Sequence, residues 1–405
     1  MLELDNRRAR KILTTEGEIT YHRYILRPTD AESRKVLAEQ FGLKGIAPLD
    51  EFLGIDRLPF KVTCGMALRL AKIAIREPSY KDAERRMQED YGICVSDDRI
   101  RDIVNFIGGL VYAEDERIAQ EAISGYNPFQ VMAGRRRGRP PRDAFTLYLE
   151  TDGAMFNTRG KGKDGSSWKE NKLGIAFRSD RLIISHDEEG NEIRRLGERE
   201  YISVTEGVEK LREHILALAI RNGLMDARAV VILSDGALWI RKTRERHFPF
   251  ATQILDLCHL KENVSKFAQY HFKNDKSRYV PWVKKVSDLL EDGKWRDVLE
   301  LDEIALYKTK DTPAGIVNLY SYIFNNRDMI DYPSYKSKGY FVGSGAIESG
   351  NKTVMQARLK QAGMRWCVSN AQVVLSLRAK LESGLWESFV VPLVQRSYIK
   401  RNCSI

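Results

Sequence analysis

Residues 229–236 read Ala229-Val230-Val231-Ile232-Leu233-Ser234-Asp235-Gly236, an unbroken apolar run that ends on an acid and a glycine. A strand apolar on both faces belongs inside a sheet covered on both sides, the setting of parallel pairing. Upstream, Phe145–Asp152 alternates as a strand and also ends on an acid followed by glycine. Met155–Arg159 is expected to return antiparallel after a turn at Asp152-Gly153. Leu173–Arg178 and Arg181–Ser185 are further short apolar runs, split by Ser179-Asp180. Ser203-Val204-Thr205-Glu206 has the form of a capping box. It is expected to open a helix with Val208, Leu211, Ile215 and Leu218 on one face, ending near Asn222-Gly223. Downstream, Thr252–Leu257 reads as another strand, followed by a helix from His259 to about Tyr270.

Strands in a meander followed by a βαβ crossover suit a ribonuclease-H-like α/β core, a mixed sheet flanked by helices, better than a doubly wound one. Around it the chain divides by pattern. Residues 1–29 hold a β-hairpin (Lys11–Thr15 and Ile19–Ile25 about Glu16-Gly17), and 30–130 are helical, with breaks at Pro48, Pro59 and Pro78. The core occupies 144–272, a helical insertion 273–340, and the core resumes over 341–405 with a helix opened by Gly343-Ser344-Gly345 and C-terminal helices. The first of these helices is expected to run to about Gln361, stopped by Gly363. An amphipathic one follows with Val373, Val374, Leu377 and Leu381.

Two segments point to a polyanionic partner. Over 79–107, Ser79 can cap a short helix with Tyr80, Ala83 and Met87 on one face, and a turn at Tyr91–Val95 follows. Ser96 then caps a second helix with Ile100, Ile103, Val104 and Ile107, the layout of a helix-turn-helix and equally of a plain helical hairpin. The segment 131–143 contains Arg135, Arg136, Arg137, Arg139 and Arg142 among glycines and prolines with no acid before Asp143. It is expected to be an extended linker of AT-hook type, narrow enough for the minor groove. The net charge of +10 and a sequence pI near 9.2 agree with a nucleic-acid partner.

Composition excludes other classes. A chain that is 43% hydrophobic and 30% charged is globular, and no window is apolar enough for a membrane span or signal peptide. A cytoplasmic, nucleoid-associated location is therefore expected. The five scattered cysteines form no CxxC pair, so neither a disulfide framework nor a zinc knuckle is indicated.

The chemistry is expected at acids. Asp152 and Asp235 end strands beside small residues, where a hydrated cation can approach. Neighbouring buried acids repel unless cations cancel the charge. A third acid, Glu348, falls in the first turn after Gly343-Ser344-Gly345, where the helix dipole favours its ionised form. Two Mg²⁺ or Mn²⁺ ions held by Asp152, Asp235 and Glu348 suit phosphoryl transfer. Lys352, Arg358 and Lys360 further along are expected to meet DNA phosphates. Glu150, Glu170, Asp256 and the pair Asp256-x-x-His259 are competitors for metal duty, read as supporting groups. Trp239 and Trp366 are expected in the core, although a tryptophan exposed near the acids would stack on a flipped base.

The motifs SDGALWI (234–240), QILDLCHLKENV (253–264) and GSGAIESGNKTVMQARLKQAGMRW (343–366) resemble bacterial insertion-sequence transposases of the DDE class. PLDEFLGI and SYKDAERRMQEDYGICVS are similar to the helical DNA-binding region of that group, so the likeness covers about residues 10–385. The resemblance implies metal binding by Asp152 in ETDGAMF, Asp235 in SDGALW and Glu348 in GAIESGNK. It implies hydrolysis at transposon ends and strand transfer by the freed 3′-hydroxyl, on double-stranded DNA and within a dimer or larger assembly. Relatives often carry a cysteine-bearing zinc element after the hairpin. Arg27-Pro28-Thr29-Asp30 has no cysteine, so no zinc is carried over. Two other readings stay open: a DNA-binding regulator that keeps the fold without the chemistry, and a structure-selective nuclease that cuts without joining.

Overall fold

The computed structural model describes residues 1–41, 43–52, 61–136, 145–160 and 165–400. They form two compact units: Met1–Glu116, Phe156–Lys169 and Val354–Ile405 in one, Arg117–Met155 and Glu170–Thr353 in the other.

The first unit opens with an antiparallel hairpin, β1 (Leu2–Thr14) and β2 (Gly17–Pro28), longer than the hairpin expected around Glu16-Gly17. Helices α1 (Ala31–Phe41), α2 (Pro48–Phe52), α3 (Cys64–Ala74) and α4 (Tyr80–Tyr91) follow. Ser79 caps α4 by accepting from the Asp82 N–H, and Gly92 closes it at φ +65°, a left-handed conformation suited to glycine. The next helix, α5 (Asp97–Gly125), is 29 residues long, so the expected pair of short helices is a short helix and a long one. Ile100, Ile103, Val104 and Ile107 are fully buried on it, and their periodicity simply continues. Helix α6, already in the second unit, covers Pro128–Arg136. The basic segment is thus helical through Arg136 and not an extended linker from 131, because Val131 is buried and anchors the helix. Residues 137–144, with Arg137, Arg139 and Arg142, lie outside the described residues, as does Pro59.

The second unit is built on a five-stranded mixed sheet in the order β7-β4-β3-β8-β9. These strands are β3 (Thr146–Asn157), β4 (Trp168–Arg178), β7 (Arg199–Val204), β8 (Ala229–Ser234) and β9 (Thr252–Leu255). The apolar run that opened the reading is β8, parallel to β3 and to β9, while β4 and β7 are antiparallel. Strands β5 (Leu182–His186) and β6 (Glu192–Leu196) form a separate hairpin. The expected turn at Asp152-Gly153 does not occur. β3 runs straight through it, because Ala154 and Phe156 continue the buried alternation beyond the glycine. Nor is there a capping box at Ser203. Ser203 and Val204 pair with Leu173 and Lys172, and the Ser203 hydroxyl donates to Asn171 Oδ1 at 2.7 Å. Helix α7 (Val208–Arg221) therefore starts after Gly207 without a side-chain cap.

Helices flank the sheet. Leu211, Ile215 and Leu218 of α7 pack with Leu147, Leu149, Ile202, Val230 and Ile232, each side chain contributing about 1.5–3 kcal/mol by burial. α8 (Leu238–His247) follows β8, and α9 (Leu257–His271), capped by Asp256, follows β9. The insertion is helical: α10 (Lys276–Glu291), α11 (Trp295–Leu299), α12 (Asp302–Ala305), α13 (Leu319–Asn325) and α14 (Tyr332–Ser337).

The Gly-Ser-Gly turn opens α15 (Gly345–Gly350), which passes into a π-helical stretch, Asn351–Gln356, and ends in α16 (Ala357–Leu359). Chain from Val354 onwards belongs to the first unit and not to the sheet's unit, with α17 (Val368–Glu382) and α18 (Val391–Lys400). The reason lies in α17, which is not amphipathic but buried on most sides. Its Arg378 donates to the Ile75 carbonyl, and its Lys380 pairs with Asp115 at 2.7 Å, both of the first unit. No described helix is long and apolar enough to cross a membrane.

Candidate functional site

Parallel register brings acids within β3 beside those that follow β8 and β9. Glu150 of β3 lies opposite Leu233 of β8, and Ser234 lies opposite Leu255 of β9. Continuing each strand sets Asp152, Asp235 and Asp256 along one edge, and the Asp256 N–H donates to the Ser234 carbonyl at 2.7 Å. Helix α15 comes to this edge from far along the chain. Its approach is close, since a Cβ on Gly350 would sit 2.6 Å from the Tyr201 ring.

Two buried carboxylates fix that approach. Glu150 Oε2 accepts from the Ile347 N–H at 2.9 Å, a first-turn donor of α15 that it shares with the Ser344 carbonyl at 3.2 Å. Asp256 Oδ2 accepts from the Ser344 N–H at 3.0 Å and from the Ser344 hydroxyl. Its other oxygen caps α9 through the Cys258 and His259 N–H groups at 2.6 and 3.3 Å. Glu348 is thereby held beside α9. Among the described residues, Asp256, His259 and Glu348 are the one trio whose metal-ligating atoms all lie within 4.8 Å of one another.

Asp152 is half-buried, with Oδ1 accepting from its neighbour Gly153 at 2.7 Å and Oδ2 from Asn351 Nδ2 at 2.7 Å. Asn351 opens the π-helical stretch, a departure from α geometry that recurs at functional sites. Asp235 is exposed and accepts from the Ala237 N–H at 2.9 Å. Gly236 beside it has φ +88°, and a Cβ there would stand 3.0 Å from Asn326 Oδ1 and from Leu255, so the turn needs glycine. From the insertion, the Tyr322 hydroxyl donates to the Asp235 carbonyl at 2.7 Å.

The electrostatics are those of crowded anions. Burial pushes the Glu150 carboxyl up to about 8, with Asp256 and Glu348 adding to the rise against the Ile347 hydrogen bond. Burial and then Asp235 push Asp152 up, while Gly153, His259 and Asn351 pull it down. None of Glu150, Asp152, Asp235, Asp256 or Glu348 has a lysine or arginine ion-pair partner among the described residues. Uncompensated oxygen donors of this kind fit a hard divalent cation.

The remaining expectations divide. Glu170 stands against Gly153, next to Asp152, where a Cβ on that glycine would meet its carboxylate, and it pairs with Lys172 at 2.9 Å. Lys352 and Lys360 are exposed, as a phosphate contact requires. Arg358 is not: it is 1% exposed, its guanidinium held between the Tyr80 and Trp366 rings and donating to the Pro78 carbonyl at 2.9 Å. Packing of α16 turns it inward, so it is a core residue and not a DNA contact. Trp366 is buried, and Trp239 is half-buried against the core with Lys172 Nζ 4.6 Å above its ring. The start of α5 carries Asp97 and Asp98, with Arg101 tied to Asp98 at 2.6 Å, so its first turn offers phosphates little positive charge. Glu150 and Asp256 are supporting groups, as expected, but their partners Ile347 and Ser344 had no signal in the sequence.

Compared with known proteins, no curated protein matches this chain. A family match does extend over residues 2–389, nearly its whole length, and by it the chain belongs to the uncharacterised protein family UPF0236.

Proposed function

We propose that the chain is a DDE transposase that cleaves double-stranded DNA at transposon ends and transfers the strand. The observation that supports this reading is a run of acids with no lysine or arginine ion-pair partner among the described residues: Asp152 interacts with Asp235 and His259, and His259 in turn groups with Glu348 and Asp256. The sheet order, a meander followed by a crossover into parallel strands, supports the ribonuclease-H-like assignment.

Asp152, Asp235 and Glu348 are the residues that would hold Mg²⁺ or Mn²⁺, with His259 and Asp256 within ligand reach of Glu348. When bound, two such ions activate the attacking hydroxyl and stabilise the departing oxygen. The chain's own residues fix the donors. Asn351 orients Asp152, Tyr322 restrains the backbone of Asp235, and Glu150 and Asp256 hold the turn that presents Glu348. Fixed donors spare the reaction the cost of reorganising them. Lys352, Lys360 and the basic run Arg135, Arg136, Arg137, Arg139 and Arg142 are proposed to meet DNA phosphates. A dimer or larger assembly in the cytoplasm, at the nucleoid, would bring two ends together.

The test is a nicking and joining assay on DNA carrying the element's terminal repeats, in Mg²⁺. Asp152→Asn, Asp235→Asn and Glu348→Gln are each expected to abolish both steps and the rise in melting temperature caused by Mg²⁺. Retained cleavage in Asp152→Asn and Glu348→Gln would sink the reading. Cleavage by the wild type without joining would reassign the chain as a nuclease.

A further inference from the structure

The helical insertion carries a surface that the reaction above does not use. On α13, Tyr320 and Phe324 lie one turn apart, their rings stacked with centroids 6.3 Å apart and 13° between planes. Phe324 is 44% exposed, and the Arg327 guanidinium lies over it, 4.3 Å from the ring centroid. Arg327 also lines an open groove of about 600 Å³ with Trp295, Arg296 and Tyr335. There a second guanidinium, of Arg296, lies 4.3 Å from the Trp295 ring centroid.

The groove is lined by two arginines and two aspartates, and they are not paired with each other. Its two carboxylates are engaged: Asp328 with Arg241 at 3.5 Å, and Asp331 in capping α14, where it accepts from the Ser334 N–H at 3.4 Å. Arg296 and Arg327 have no acidic partner among the described residues. Two guanidiniums thus lie on aromatic faces without a direct acidic partner. Each can meet a phosphate while its plane, or the exposed ring, meets a flat heterocycle.

The surface is also tied to the acids. Tyr322, between the stacked rings in sequence, donates to the Asp235 carbonyl at 2.7 Å. Arg241, four residues into α8, donates to the Asn325 carbonyl at 2.8 Å.

We propose that this groove binds unpaired nucleotides of the DNA substrate, bases on Phe324 and Trp295 and phosphates on Arg296 and Arg327. The proposal rests on the transposase reading and names the strand that its site must accept. Paired bases hide their faces in the duplex, so a stacking surface with arginines selects a single strand.

The experiment uses the full chain, a fluorescein-labelled oligothymidylate and EDTA, with binding followed by fluorescence anisotropy. Phe324→Ala, and Arg296→Gln with Arg327→Gln, are each expected to weaken binding about tenfold or more. The double arginine variant should also lower the slope of log affinity against log salt by about 1.4. Phe324→Tyr should bind like the wild type, and circular dichroism checks that each variant is folded. No binding by the wild type, or unchanged affinity and slope in these exposed variants, overturns the proposal. So does a change in sedimentation with unchanged affinity, which would make the face a contact between copies. Asp235→Asn should bind the oligonucleotide normally. Cleavage by that variant would refute the transposase reading, whereas unchanged anisotropy in the groove variants refutes only this one.

Discussion

Among the described residues, each unit of the molecule buries two acids almost completely, and the two units treat them differently. In the first, Asp50 is met by Arg10, Arg23 and Tyr21, and Asp115 by Lys380 at 2.7 Å. In the second, Glu150 and Asp256 are met by backbone N–H groups and a serine hydroxyl, with no cationic partner. An internal cation completes the charge account of a structural acid. Neutral donors hold a carboxylate in place and leave its charge to be balanced from outside. The same contrast extends to the acids that reach solvent, since Asp152, Asp235 and Glu348 also have no lysine or arginine ion-pair partner among the described residues. A histidine shows the reverse case. His247 is pushed down to about 4 by burial and then by Arg246 and Arg212.

The largest effect should fall on activity. Neutralising any one of Asp152, Asp235 or Glu348 is expected to lower strand cleavage by at least about 10³-fold, through loss of a metal ligand. Measured single-turnover rates that stay within tenfold would erase the functional side of the contrast.

Next in size is the structural side. Lys380→Met strands Asp115 in the core and should cost about 3–5 kcal/mol in urea unfolding, with Mg²⁺ binding to the folded protein unchanged. A cost under about 1 kcal/mol would mean that Asp115 is held as Glu150 is, by neutral donors.

A pH series gives the third. His247 titrates lower in the folded chain than in the unfolded one, so the unfolded state binds the extra proton first as pH falls. Stability is expected to be fully present above about 6.5 and to drop by a few kcal/mol towards about 4. His247→Gln should flatten that limb of the stability curve. A wild-type curve already flat there would remove His247 from the comparison.

The smallest effect has the opposite sign. Without metal, Asp235→Asn relieves repulsion with Asp152 and should raise stability by up to about 1 kcal/mol. If the substitution instead destabilises the metal-free protein, the acids are compensated in a way the ion-pair pattern does not reveal.

What could be read from the sequence was local. Ala229–Ser234 is a strand because its apolar run needs nothing beyond itself to declare a buried position, and Ser79 and Gly92 bracket α4 by cap chemistry alone. What could not be read depended on distant partners. Asp152-Gly153 looks like a turn until Phe156 is known to be buried on the same strand, and Ser203 looks like a cap until it is paired with Leu173. Arg358 sits among basic residues in the sequence, yet Tyr80 and Trp366 draw it inside. For the candidate site, Asp152, Asp235 and Glu348 stood out by strand-end or helix-start position. Glu150 and Asp256 earned their places only through donors on Ile347 and Ser344.

Those last two bonds span 197 and 88 residues of chain. Contacts of such long reach form late, because the ends of a large loop must first meet. A nascent chain that has emerged as far as β9 already possesses β3, β8, Asp152 and Asp235. It lacks the arm that brings Glu348. Translation itself thus withholds the third carboxylate until the insertion has been made, and a ribosome-bound fragment holds two acids with nothing yet to close over them.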